Sequence, residues 1–513
     1  MQLTENTHTT KKNIIANNIG NTWNIITLLV AVPIYIQYLG IENYSMVAFF
    51  SILGAWSILL DFGLRATLER QISKFYANNY GENEIVSLLH SVELFIIFIG
   101  SLVVISTWLA SDWLAYIWLD DLTLSTGEIK KSFIFMSFII AFRAVESIYS
   151  RALLALHKQV LQNTISIIIV TIQNFGAIGI LAWISPTIEM LFLWYALISI
   201  ISMTVFCLFA YKSMPFLKGV TTYSWSSLLQ SWNFTVGMFL VLLLTLITSQ
   251  VDKILASNLF TVEIFSFYML AGMIIKGMGL FSESVSAAIY PHFITLIVKK
   301  NASELKIFYH KSVQTVAVFS GSFASVIFIF SEEVIMVWTK DENLSENIAP
   351  IMMALVLGEL ARGLLMVSYR LQMSYAWTTL HIKLAIINIL IVIFASLFLM
   401  PLYGSIGLAI SLSFANFLIL FLSAYIMHKK IIIGEFRYWL LYDIFIPISC
   451  SFIVIIICAQ FIPENTNRLF TFFGLFISFF IGLISAALVT PLTRKLIFKI
   501  TNKFFLNTFF NKK

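Results

Sequence analysis

Two arginine pairs lie in stretches of the chain that are otherwise apolar. Arg143 is followed by Arg151, and Arg362 by Arg370, with the same spacing of eight residues in both cases. A charged side chain near the centre of a bilayer costs roughly 2.5–3.5 kcal/mol on insertion scales. Because the chain bears this cost twice at matched positions, we expect Arg143 and Arg362 to bind an anion.

Each of the two leading arginines has a glutamate three residues away. Glu146 follows Arg143, and Glu359 precedes Arg362. Residues three apart lie on the same face of a helix, so each guanidinium can reach its glutamate. Two interpretations remain open: a local pair that only makes insertion tolerable, or a functional group of charges.

A third cation, Lys276, has no carboxylate three or four residues away, and Glu283 lies seven residues further on. We expect Arg143, Lys276 and Arg362 to line a water-accessible cavity between two halves of the protein. Guanidinium groups bind phosphate through two parallel hydrogen bonds, and a lysine adds a point charge. A diphosphate head group is therefore the predicted guest.

The carboxylates in the apolar stretches could balance these cations or take up H⁺ or Na⁺ to drive a transport cycle. The sequence does not distinguish among Asp61, Glu93, Glu146, Glu283 and Glu359. We expect no other cofactor and no metal site, because the three cysteines show no paired spacing. The chain also lacks a phosphate-binding loop and the common hydrolase motifs, so we do not expect an enzyme.

Composition defines the broad class of the protein. Of 513 residues, 59% are hydrophobic and 11% charged, and the mean hydropathy is +0.90. Soluble domains contain about 25% charged residues, so the sequence predicts an all-α, multi-pass membrane protein. Apolar windows of about 20 residues predict fourteen spans: 14–36, 45–66, 86–109, 132–153, 160–184, 188–211, 233–250, 264–290, 311–330, 348–371, 378–399, 405–427, 440–462 and 468–490.

The distribution of Lys and Arg predicts the orientation of these spans. With the N-terminus in the cytoplasm, 24 of the 32 basic residues fall on the cytoplasmic side, five fall outside and three lie within spans. Cytoplasmic loops are enriched in Lys and Arg, so both termini are predicted to be cytoplasmic. Pro447 predicts a kink in the thirteenth span.

The chain shows weak internal repetition. A shift of 219–221 residues brings Glu42 onto Glu263, and both residues of the first arginine pair onto those of the second. The same shift brings Asp61 to within one residue of Glu283. The prediction is two pseudo-symmetric six-helix lobes, 1–220 and 221–430, followed by 431–513 with two helices and a basic cytoplasmic tail. Because six is even, the lobes are parallel repeats, and transporters of this kind hold substrate between them.

The first two spans and the end of the fourth resemble a known family. Its motif matches are Asn21, Pro33, Leu39, Gly40, Tyr44, the run Leu60-Asp61-Phe62-Gly63-Leu64, Thr67, Arg70, and Leu156-His157-Lys158. These resemble the Wzx-type polysaccharide flippases of the multidrug/oligosaccharidyl-lipid/polysaccharide (MOP) exporter superfamily, which also contains lipid II flippases and MATE drug exporters.

The resemblance implies a function. It implies translocation of an undecaprenyl-diphosphate-linked oligosaccharide, the repeat unit of O-antigen lipopolysaccharide, capsule or exopolysaccharide, across the bacterial inner membrane by alternating access. The implied partners are this lipid-linked oligosaccharide, membrane lipids, and the polymerase and glycosyltransferases of the same polysaccharide biosynthesis pathway. No nucleic acid is expected.

Two alternatives of other classes remain. A MATE-like multidrug exporter would need an acidic cavity, whereas the mid-span charges without an obvious local partner are basic. A polysaccharide polymerase or ligase would resemble proteins with one large outer catalytic loop, and every predicted loop is short.

Overall fold

The computed structural model describes residues 2–62, 64, 68, 82–118, 125–156, 158–214, 232–375, 377–461 and 468–494. These residues form an all-helical protein. Its helices are α1 (Gln2–Leu39), α2 (Ile41–Trp56), α3 (Glu82–Trp118), α4 (Thr126–Ala155), α5 (Gln159–Trp183), α6 (Ile188–Ser213), α7 (Trp232–Leu259), α8 (Val262–Val298), α9 (Ala302–Ile329), α10 (Ser331–Thr339), α11 (Glu342–Ser374), α12 (Thr378–Lys430), α13 (Phe436–Tyr438), α14 (Ile446–Ala459) and α15 (Arg468–Val489).

Long apolar helices satisfy their backbone hydrogen bonds internally, which is what a chain crossing hydrocarbon requires. Within the described residues, twelve helical segments are long and apolar enough to span a membrane. The predicted all-α, multi-pass class is therefore confirmed.

The sequence predicts fourteen spans, and the structure has twelve candidates. The difference arises at two helices, α12 and α7. Helix α12 has 53 residues and contains non-helical torsions at Gly404 (φ 56°, ψ −132°), where two helices meet at a kink. At 1.5 Å per residue it would measure about 80 Å, more than twice the hydrocarbon thickness. Helix α7, with 28 residues, covers the predicted span 233–250 but is not among the twelve.

The chain divides into two compact units. The N-unit comprises Met1–Gln250 with Thr261–Ser266, and the C-unit comprises Val251–Phe260 with Phe267–Lys513. In the N-unit, α4 packs between α3 and α6, while α5 packs against α1 and α6. A buried cluster that includes Val92, Ile148 and Phe206 joins α3, α4 and α6.

In the C-unit, α11 packs against α9, α10 and α12, and α9 also packs against α14 and α15. Small residues allow this close approach: a Cβ at Gly358 would lie 2.9 Å from the Cα of Ser413, and one at Gly321 would lie 2.8 Å from the Ile448 side chain. Close backbone approach through small residues is the usual way in which membrane helices associate.

The segment before Pro447 departs from α-helical geometry, as the proline predicts. Trp439–Phe445 forms seven residues of π-helix between α13 and α14. Pro447 has no backbone N–H to bond the carbonyl four residues earlier, so the α-helical ladder cannot run through this point unchanged.

The predicted domain boundary at 220/221 falls in 215–231, outside the described residues. The boundary at 430/431 falls at the end of α12. The division into two six-helix lobes and a C-terminal pair stays a prediction.

Candidate functional site

Helix α4 carries Arg143 in the N-unit. The helix begins at a capping box, in which the Ser125 hydroxyl accepts from the backbone N–H of Glu128, and the Glu128 carboxylate accepts from that of Ser125. This arrangement satisfies the first free donors of the helix. Thirty residues of uninterrupted helix then place Arg143 near the middle.

Arg143 is held by residues of other helices. Its Nη2 donates to Oε1 of Gln173 on α5 at 3.0 Å, and its guanidinium carbon lies 5.9 Å from the centre of the Phe50 ring. No ion pair within 4.0 Å joins it to Glu146 or to any other carboxylate of the described residues. An arginine has five N–H donors, so within the described residues most of those of Arg143 are left for a ligand.

Arg143, Glu146 and Gln173 line a polar cavity of about 370 Å³ inside the N-unit. Helices α4, α5 and α6 supply its walls, which carry five serine hydroxyls, the Gln173 amide and three charged groups. The lining residues are Arg143, Glu146, Ser147, Ser150, Arg151, Ser166, Ile169, Val170, Gln173, Ser199, Ser202 and Phe206. Two arginines and one glutamate give the lining a formal charge of +1.

A second cavity of the N-unit, about 570 Å³, lies between α3, α4 and α6. Its lining includes Ile105, Phe142, Met203 and Leu208, and no charged residue. An apolar wall cannot replace the hydration of an anion, so this cavity is not a head-group site.

In the C-unit, Arg362 is paired on its own helix. Its Nε donates to Glu359 Oε2 at 2.7 Å and its Nη2 donates to Oε1 at 2.5 Å. The pair is bidentate, which is the strongest geometry for a guanidinium and a carboxylate. At this position the local neutralising pair is therefore formed.

Gly279 on α8 provides the space for this ion pair. A Cβ at Gly279 would overlap the Glu359 carboxylate and would lie 2.5 Å from Arg362 Nη2. A Cβ built on the neighbouring glycine, Gly277, would have no heavy atom within 4 Å. Only glycine at 279 lets the pair lie directly against α8.

Lys276 lies on the same face of α8 as Gly279. It is exposed and interacts electrostatically with Arg362, Glu359 and Glu283. Within the described residues no carboxylate lies within 4.0 Å of its ammonium group.

The predicted site residues therefore fall into two groups. Arg143 and Glu146 both line the N-unit cavity, and in the C-unit Lys276 interacts electrostatically with Glu283, Glu359 and Arg362. Of the other carboxylates, Glu93 accepts hydrogen bonds from Tyr211 at 2.9 and 3.2 Å. The side chains of Asp61 and Asn21, and residues Gly63, Thr67, Arg70 and His157 of the motif, lie outside what the structure describes.

Gln173 joins α5 to α4 through its hydrogen bond to Arg143. One contributor, Gly279, was not recognised from sequence. Gly279 carried no signal, since it is one of 22 glycines and its role depends on a helix 80 residues later in the chain.

Comparisons with known proteins show the fold. The chain matches no protein-family model and no curated protein. It is similar to the inward closed conformation of the lipid II flippase MurJ, with a TM-score of 0.68 and 18% identity over 94% of this chain and 99% of that one. It is also similar to an inward-facing MATE multidrug resistance transporter of the MOP superfamily, with a TM-score of 0.65 and 14% identity over 81% and 96% of the two chains.

A third similar structure is a MOP superfamily transporter from Pyrococcus furiosus whose binding pocket is described as having reverse polarity. Its TM-score is 0.55, with 16% identity over 83% of this chain and 96% of that one. The chain thus has the fold of MOP superfamily transporters.

Proposed function

We propose that this protein is a flippase that moves an undecaprenyl-diphosphate-linked oligosaccharide across the bacterial inner membrane by alternating access. The glycan would be a repeat unit of O-antigen, capsule or exopolysaccharide. The likeness in fold to a lipid II flippase supports this class of transport, and the chemistry of the charged side chains supports the head group.

The observation that carries the proposal is the environment of Arg143. This arginine lies in a polar cavity, has one hydrogen bond to Gln173, and directs no ion pair to the carboxylates of the described residues. The cavity volume, about 370 Å³, lies within the range of small-ligand sites. A phosphate group could accept two hydrogen bonds from the unused part of the guanidinium, which a fully neutralised arginine could not offer.

The C-unit also contains a guanidinium that could bind phosphate, but there it is already paired with a carboxylate. Arg362 is occupied by Glu359, but a phosphate oxygen has the same preference for the guanidinium fork as a carboxylate. We therefore propose that the substrate phosphate displaces Glu359 from Arg362. Exposed Lys276 adds a positive point charge without bidentate hydrogen bonds. Such an exchange gives a site with two arrangements, as a transport cycle requires.

The net charges separate this function from a MATE-like exporter of cationic drugs, which is the second candidate and is supported by the fold alone. The lining of the N-unit cavity has a formal charge of +1, and a cation there would be repelled by Arg143.

We also propose a finer topology for the membrane spans. Fourteen spans follow if α12 crosses twice and α7 once, with both termini in the cytoplasm. The carboxylates Asp61, Glu146, Glu283 and Glu359 are the candidates for H⁺ or Na⁺ coupling. Membrane lipids, a polymerase and glycosyltransferases of the pathway remain the proposed partners.

A binding series tests the head group. Purified full-length protein would be titrated with farnesyl diphosphate, farnesyl monophosphate and farnesol, and separately with tetraphenylphosphonium. We expect affinity to fall in the order diphosphate, monophosphate, alcohol, and to weaken with added salt. Equal affinity for all three prenyl compounds would show that the protein does not recognise the diphosphate. Preferential binding of tetraphenylphosphonium would favour an exporter of cationic drugs.

A further inference from the structure

A second buried ionic group lies in the C-unit and involves His310 of α9 and Asp443 of the π-helical segment. His310 Nδ1 and Asp443 Oδ2 are 2.5 Å apart, and the two residues are 3% and 0% exposed. The other carboxylate oxygen of Asp443 accepts a hydrogen bond from Gln314 Nε2 at 2.8 Å. This carboxylate is therefore bound on both oxygens by α9.

The other nitrogen of the His310 ring also faces a carboxylate. His310 Nε2 has no hydrogen-bond partner among the described residues, and it lies 3.5 Å from Glu435 Oε2. The second oxygen of Glu435 forms an ion pair with Lys306. His310 thus lies between two carboxylates, one at each ring nitrogen.

Counting hydrogens shows what this arrangement lacks. A neutral imidazole has one N–H, and an ionised carboxylate has none to donate, so a neutral His310 can satisfy only one of its two contacts. The other contact would then set a nitrogen lone pair against a carboxylate. One additional proton makes both contacts attractive, whether it resides on the ring or on a carboxyl group.

The charges lead to the same result. With a neutral His310, the group of Lys306, Glu435, His310 and Asp443 has a formal charge of −1, and one proton brings it to zero. Uncompensated charge is costly where side chains are buried. We propose that His310, Asp443 and Glu435 together bind one proton, and that this proton holds α14 and α15 against α9.

The surrounding elements define the proton path and its environment. Lys306 and Glu435 side chains are 48% and 20% exposed, so the group leads from solvent to the buried Asp443. The titratable groups that face His310 are Lys306 and Tyr309 of α9, Glu435, Tyr438 and Asp443 of 435–445, and His428 of α12. Helix α11 is joined to this group through Ser368, whose hydroxyl is hydrogen-bonded to Tyr309.

The same residues connect the C-terminal helices to the C-unit site. Gln314 Oε1 accepts from the backbone N–H of Leu492, just after α15, at 3.0 Å. Ten residues after His310, Ser320 of α9 contacts Ser282 of α8 at 3.1 Å, and Ser282 lies against Gly363, next to Arg362. Loosening the proton site would release α14 and α15 from a helix that also supports the Glu359–Arg362 pair.

Nuclear magnetic resonance of the full-length protein with ¹⁵N-labelled histidine tests the site. The His310 signal is assigned by its loss in His310→Gln, with His292→Gln on α8 as the matched control. At pH 7 we expect both ring nitrogens of His310 to be protonated, and in Asp443→Asn we expect this imidazolium signal to be lost. Infrared difference spectra of the wild type against Asp443→Asn, and against Glu435→Gln, detect a protonated carboxyl group if the proton resides on Asp443 or Glu435.

Hydrogen exchange in peptides covering 436–445, corrected for intrinsic rates, tests whether the proton holds α14 and α15 against α9. Wild-type exchange should increase from pH 6 to pH 9, and His310→Gln should abolish that dependence. A neutral His310 at pH 7, with both Asp443 and Glu435 ionised, would overturn the proton site. Exchange that does not change with pH in the wild type would overturn its role in holding the helices.

Discussion

Glu359 and Arg362 form a two-fold hydrogen-bonded ion pair on one helix, at 2.5 and 2.7 Å. The corresponding arginine of the repeat, Arg143, donates to Gln173 of a different helix. Two positions with the same spacing in the sequence thus differ in what they bind. One guanidinium is blocked by a carboxylate, and the other meets no carboxylate in the part of the chain that the structure describes.

Glu359→Gln is expected to strengthen binding of farnesyl diphosphate by the full-length protein severalfold. The amide competes less well than the carboxylate for the Arg362 fork, so the ligand meets a freer guanidinium. Arg362→Ala should weaken the same binding, and the double variant should match Arg362→Ala. If Glu359→Gln and Arg362→Ala weaken binding equally, the pair is a structural element and not a gate for the ligand.

Gly279→Ala is expected to separate Glu359 and Arg362 without changing any charge, because the added methyl group overlaps the carboxylate. We expect the affinity for farnesyl diphosphate to change in the same direction as in Glu359→Gln. Gly277→Ala is the matched control, since its methyl group meets open space. Identical titrations for both alanine variants would show that contact with α8 does not matter.

Arg143→Ala should weaken farnesyl diphosphate binding by roughly tenfold or more, since hydrogen bonds to a charged group contribute about 1.5–3 kcal/mol. Arg143→Lys should retain part of the affinity, because the charge survives while the fork does not. Lys130→Ala is the control on the same helix: it removes a cation of an exposed pair with Asp112, which stabilises by at most about 1 kcal/mol. If Arg143→Lys binds farnesyl diphosphate as weakly as Arg143→Ala, the positive charge alone does not account for binding.

The kink at Gly404 gives a topological prediction. If α12 crosses the membrane twice, Tyr403, which is exposed beside the kink, faces the outside. A Tyr403→Cys variant with Cys207, Cys450 and Cys458 changed to serine should react with an impermeant maleimide added to intact cells. A cysteine in the same background at Lys429 should react only after permeabilisation. The reverse pattern would invert the predicted orientation.

The helices could be predicted from the sequence because apolar length and flanking charge are local properties. That Arg143 and Glu146 share a face was also local, yet whether they pair was not, because Gln173 of α5 competes for the same guanidinium. His310 and Asp443 are separated by 133 residues, and neither stands in a motif. Their contact depends on how α14 docks against α9, which no pattern of nearby residues encodes.

The direct test of the account is flipping of a fluorescently labelled polyprenyl-diphosphate-linked saccharide in proteoliposomes that contain the full-length protein. A membrane-impermeant reductant would report the fraction of label that reaches the outer leaflet. We predict that the wild type and Lys130→Ala expose the protected label, and that Arg143→Ala and Arg362→Ala insert normally but do not. Flipping by both arginine variants at the wild-type rate, or transport of tetraphenylphosphonium in place of the lipid, would contradict the account.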